Sequence, residues 1–253
     1  MNKKANPKTS SAKKKTLEPH RWRLCPYGEH WVTTHPMRVP PSEKNPTGSI
    51  TTRKGHCAKN PSGKDQLYPD EVKTISDSIF KDLKNKPCSQ SLSFENGSQF
   101  DDLIAGWTQY WNEVLQPKVP LSPNVIKALI ASESGFRTDL LANKKNSNSA
   151  RGLMQILNST RKTLGDEKGE LQDHFLTVTK AELNDPSINI CSGIRWLFQK
   201  QKLASSFLGK DASWEEAIMN YKGKLKTKAE DKETEKQKKI FNDYLSRLEK
   251  CED

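Results

Sequence analysis

In this 253-residue sequence, a glutamate continuing an apolar stripe is the first place where residue type and spacing together point to chemistry. Ile126, Leu129 and Ile130 recur at helical spacing, and Glu133 follows on the same face. An acid on the inward face of a helix loses hydration, which favours its neutral form. A carboxylic acid that keeps its proton near neutrality can protonate a departing oxygen. The alternative is an exposed acid in a frayed last turn. Asp139, six residues on, and Asp166 are the candidates for a second carboxylate. For Asp139 the plainer reading is a loop or cap acid.

The element that must carry Glu133 is bounded by recognisable signals. Ser122 is suited to the N-cap and Pro123 to the first helical position, where a missing N–H costs nothing. Gly135 can end the helix in a left-handed conformation, which leaves Glu133 at the lip of whatever cleft follows. A polar loop then leads to Ala150-Arg151-Gly152-Leu153-Met154-Gln155-Ile156.

Glu133-Ser134-Gly135-Phe136 followed by Gly152-Leu153-Met154-Gln155 resembles the catalytic signature of soluble-lytic-transglycosylase-like enzymes, relatives of goose-type lysozyme. The resemblance spans about residues 100–248. It implies a mainly α, lysozyme-like catalytic domain and cleavage of peptidoglycan between N-acetylmuramic acid and N-acetylglucosamine. Glu133 would protonate the glycosidic oxygen and then accept a proton from the muramyl 6-hydroxyl, closing a 1,6-anhydro ring. One carboxyl suffices for that route, whereas hydrolysis by water usually calls for a second, for which Asp139 is the candidate. The resemblance also implies that Ser134 hydrogen-bonds in the acid's surroundings and that Gly152, Leu153, Met154 and Gln155 line sugar subsites. Gly152 would let the chain pass close to a ligand, and Met154 would pack on a sugar face or fill the core. Asn184-Asp185-Pro186-Ser187-Ile188-Asn189-Ile190 is similar to the segment that opens the family's central helix. Ala217-Ile218-Met219-Asn220-Tyr221-Lys222-Gly223 resembles the segment that brings a tyrosine to the cleft, but Lys222 stands where asparagine is usual. Asn220 is a conceivable substitute. No cofactor is implied.

The remaining helices follow from apolar spacing. One is expected over 69–84, with Pro69 at its start and Val72, Ile75, Ile79 and Leu83 inward, and a second over 100–115. Trp107, Tyr110 and Trp111 on that second helix are read as core rather than as sugar-stacking platforms. Asp185 should cap a helix over 186–203, Ser213 and Glu216 form a capping box, and Ile240, Phe241, Tyr244 and Leu248 mark a last helix. Between them, 222–239 is charged and reads as a solvated helix or mobile arm.

Ahead of the catalytic region, residues 1–17 read as a basic, disordered tail, and 18–90 as a small loop- and β-rich module with strands expected near Trp31–Thr34 and Ser49–Thr52; 91–253 is the expected catalytic domain. The module's role is open between docking, wall binding and bracing. It holds His20, Cys25, His30, His35, His56 and Cys57, for which zinc is the sharp hypothesis and ordinary polar histidines the plain one.

Composition bounds the partners. Hydrophobic residues make up 33% of the chain and none of its runs approaches a membrane span, so membrane insertion is not expected. A mean hydropathy of −0.86 fits a chain with solvated segments. The net charge of +11 suits an anionic polymer, and no nucleic-acid-reading motif accompanies it. Six lysines fall in the first fifteen residues with no apolar stretch behind them, so the start does not read as a secretory signal. That and the odd count of five cysteines argue against a planned disulfide framework. Synthesis in the cytoplasm and action in the periplasm or cell wall then imply lysis or a non-Sec route, as for a phage enzyme or a delivered effector with an immunity protein or delivery apparatus as partner. A binding protein on a lysozyme-like fold is the alternative of another class, and a nucleic-acid binder a third.

Overall fold

All but one of the short strands come before the helices in the described chain, following the change in apolar spacing. The computed structural model describes residues 20–81, 83–225 and 231–251. The basic tail at 1–17, and 226–230 of the charged interval, lie outside the described residues. The fold is mainly α, with seven α-helices among the described residues.

Two antiparallel pairs open the fold: β1 (Glu29–Val32) with β4 (His56–Lys59), and β2 (His35–Val39) with β3 (Ser49–Arg53). β5 (Gln66–Leu67) then runs parallel to β6 (Phe175–Leu176), joining residues more than a hundred positions apart. The helices are α1 (Pro69–Ile79), α2 (Asp101–Leu115), α3 (Pro123–Ser134), α4 (Asn158–Leu164), α5 (Pro186–Leu208), α6 (Trp214–Tyr221) and α7 (Lys232–Lys250).

α5 is the axis. Every residue from Ser187 to Gln199 is buried, so its N-terminal half is surrounded rather than amphipathic. α1, α2, α4 and α6 pack against it, while α7 packs against α3. Trp107, Tyr110 and Trp111 are core residues, as their spacing predicts; the indoles of Trp107 and Trp111 donate to Ser187 Oγ and the Cys191 carbonyl, both at 2.9 Å. Full burial of an aliphatic or phenyl side chain in such a core stabilises by roughly 1.5–3 kcal/mol. Cys191 is a buried free thiol.

α1 ends at Ile79 rather than near 84, because Phe80 turns inward against Trp22 and Trp107. Gly106 makes this possible: a Cβ there would lie 2.3 Å from the Phe80 ring. Trp22, Leu67, Val72 and Ile75 share this core with the later helices. Beside it, buried Arg23 donates to Glu71 at 2.7 Å and to the Glu29 carbonyl at 2.8 Å, and pairs with Asp65.

The cysteines depart from expectation. Cys25 bonds Cys57, and Cys88 bonds Cys251. Pairing is set by proximity in space across separations of 32 and 163 residues, which spacing alone does not reveal. The first bridge also takes both thiols out of the zinc hypothesis. His30 bonds Asn60, while His35 and His56 bond the carbonyls of Thr33 and Lys54.

α7 begins at Lys232, eight residues before the expected apolar stripe. Asp231 caps it by accepting from the Thr234 amide at 2.8 Å, and most of its first two turns are solvated.

Candidate active site

α3 is built as its sequence predicts. Ser122 Oγ accepts from the Asn124 amide at 3.3 Å, Pro123 occupies the first turn, and Gly135 ends the helix at φ 56°. A Cβ on Gly135 would sit 2.9 Å from Phe94. Glu133 therefore stands in the last turn, at the wall of a cleft of about 340 Å³. The other walls come from Gln155 and Leu157, from Tyr221 and Lys222 at the end of α6, and from Gln237 on α7.

The setting of Glu133 differs from the apolar one its stripe suggests. Its side chain is 18% exposed, and its Oε1 accepts from Lys222 Nζ at 2.5 Å. The same ammonium donates to Ser132 Oγ at 3.0 Å. Lys222, whose side chain is only 6% exposed, thus fills the place where the family resemblance leads one to expect an amide. Asn220 does not substitute for it, because its side chain donates to the Lys200 carbonyl at 2.9 Å.

The segment 150–157 is held by short backbone bridges, Arg151 pairing with Ile156 and the Gly152 amide donating to the Leu140 carbonyl at 2.9 Å, and by the side chain of Asn189. Asn189, buried on α5, donates to the carbonyls of Leu183 at 2.7 Å and Arg151 at 3.2 Å, and accepts from the Met154 amide at 2.8 Å. Gly152 has φ 74°, and a Cβ there would lie 2.2 Å from Asn189 Nδ2. The close approach that requires glycine is therefore to Asn189 and not to a ligand. Leu153 and Met154 are fully buried, so they fill the core; Met154 packs on Gly193. Gln155 does reach the cleft. Its backbone is at φ 47°, and its Nε2 donates to the carbonyls of Gly152 and Leu140 at 2.9 and 3.1 Å.

Tyr221 lines the cleft, and its hydroxyl donates to the Met154 carbonyl at 2.7 Å. Burial, reinforced by the charge of Glu133, pushes its phenol well above the ordinary value, so it stays a donor. Ser134 is buried and turned into its own helix, donating to the Ile130 carbonyl at 3.2 Å. Its neighbour Ser132 is the serine that faces the cleft.

Neither candidate for a second carboxylate joins Glu133. Asp139 is exposed and lines a different depression, with Gln99, Phe100 and Pro186. Asp166 is exposed and folds a turn by accepting from the Lys168 amide at 3.0 Å. Among the described residues lining the cleft, Glu133 is the one carboxylate. Sequence reasoning passed over Lys222 as a partner of the acid and Asn189 as the brace of the loop. Lys222 had left a signal as the departure from asparagine.

A search of curated proteins found no match to the chain. The sequence profile of the transglycosylase SLT domain matches residues 110–244, a span that holds the acid, the loop and the tyrosine. That span is more than half of the chain, and it carries the lysozyme-like fold and the general chemistry of peptidoglycan cleavage with it. The chain belongs to the transglycosylase SLT domain family.

Proposed function

We propose that the protein is a lytic transglycosylase that cuts the bond between N-acetylmuramic acid and N-acetylglucosamine with Glu133 as its one acid and base. The observation that carries this reading is the single carboxylate among the described lining residues. Glu133 enters the reaction protonated on Oε2, since Oε1 accepts from Lys222 Nζ, and donates that proton to the glycosidic oxygen as the C1–O bond breaks. The resulting carboxylate takes the proton of the muramyl 6-hydroxyl as O6 bonds C1. No water is consumed and no second acid is needed to position one. The net charge of +11 favours an anionic polymer as substrate.

Action outside the cytoplasm, in the periplasm or cell wall, belongs to the same proposal. The two disulfides support it, since such bonds persist in oxidising compartments. Product analysis of digested peptidoglycan tests the reaction: wild type should release 1,6-anhydro ends, and Glu133→Gln should release none. Reducing ends from wild type would make the enzyme a muramidase instead.

A further inference from the structure

Lys222 is placed where its ammonium meets the acid. It is the residue that ends α6, and its amide donates to the Ile218 carbonyl at 3.0 Å. Gly223, at φ 68°, lets the chain turn away directly afterwards. The side chain runs inward with 6% exposure, and its ammonium is divided between Glu133 Oε1 at 2.5 Å and Ser132 Oγ at 3.0 Å. Ser132 thereby anchors the cation beside the acid.

We propose that Lys222 is a positioning residue for catalysis, holding the Glu133 carboxylate in the interval between its two proton transfers. The assignment rests on Glu133 being the acid and base of the reaction. When the Glu133 proton passes to the glycosidic oxygen, the C1–O bond breaks with its electron pair on the leaving sugar. A carboxylate then remains opposite a sugar cation. Lys222 Nζ opposes the new negative charge at a fixed distance and keeps Oε1 from swinging toward C1. The other oxygen is left to receive the 6-hydroxyl proton as O6 closes on C1. A preorganised charge of this kind costs no reorganisation when the reaction occurs. Lysine does this where an amide would give only a dipole.

The test is steady-state release of soluble fragments from purified peptidoglycan by the full chain. Wild type is compared with Glu133→Gln, Lys222→Met and Lys222→Arg, with the melting temperature of each variant recorded. Lys222→Met should lower kcat by at least about 10-fold with KM within about two-fold, and Lys222→Arg should recover much of the loss. Should Lys222→Met fail to fold, Ser132→Ala takes its place: it frees the ammonium from its anchor and should lower kcat about three-fold at unchanged KM. Full kcat in Lys222→Met, or in Ser132→Ala where it stands in, overturns the proposal, as does an equal loss in the Met and Arg variants. An inactive Glu133→Gln beside a fully active Lys222→Met overturns this proposal alone. An active Glu133→Gln overturns the acid assignment and this proposal with it.

Discussion

The hydroxyl of Tyr221 donates to the carbonyl of Met154 at 2.7 Å, across 67 residues of sequence. This bond fastens the end of α6 to the loop that presents Gln155, and so closes the cleft opposite Glu133. Tyr221→Phe keeps the ring and removes the bond. Stability should fall by about 1 kcal/mol, and kcat on peptidoglycan should fall about 10-fold as the loop loosens. Denaturant midpoints and initial rates measure the two effects, and unchanged values in both would count against the bond's importance.

Asn189 and Gly152 form a lock under the same loop. Asn189→Ala leaves the Met154 amide and the Leu183 carbonyl without the partners they now have, at a cost of roughly 2–4 kcal/mol. Gly152→Ala should cost a comparable amount, since its Cβ would fall on Asn189 and its φ of 74° disfavours alanine. Urea unfolding of the single variants checks both figures.

The bridge from Cys88 to Cys251 ties the end of α7 to the loop before α2. Asn124 reinforces the same point, accepting from the Cys88 amide at 2.8 Å and donating to the Leu248 carbonyl at 3.2 Å. Because α7 packs on the helix that bears Glu133, Cys251→Ser should lower stability by about 2–4 kcal/mol. Thiol titration of the denatured, unreduced protein should find one free group, Cys191, and five after reduction. More than one before reduction would contradict the pairing.

Stability should respond to pH through Asp101. Burial pushes its carboxyl up to about 6 from 3.8, with Lys127, at 2.9 Å, pulling the other way. The folded protein then holds a proton that the unfolded chain has already released. The contribution is complete below about pH 3.8 and is lost as pH rises through about 6. In Asp101→Asn this dependence is absent. The difference in melting temperature, wild type minus variant, should therefore fall between about pH 4 and 6; a flat difference would show that Asp101 titrates alike in both states.

What the sequence disclosed was mostly local. Ser122, Asp185 and the Ser213–Glu216 box cap their helices because a cap is decided within three or four residues. The tryptophans of α2 fell to the core by their spacing. Lys222 lies 89 residues from Glu133, and nothing local to either residue announces the ion pair. The disulfides and the contacts of Asn189 were hidden for the same reason. Asp139 keeps its plainer reading as a loop acid, because nearness in sequence ceases to mean nearness in space once Gly135 and Phe136, both at positive φ, turn the chain away. Ser134 misled because one residue along a helix is a rotation of about 100°, which gives the cleft to Ser132 and Glu133.

The central claim is that Glu133 alone carries the proton in both directions. Mass spectrometry of the fragments released from purified peptidoglycan by wild type and by Glu133→Gln tests it most directly. The account predicts fragments ending in 1,6-anhydro-muramic acid from wild type and none from the variant. Fragments with reducing ends, or anhydro fragments that persist in Glu133→Gln, would contradict it.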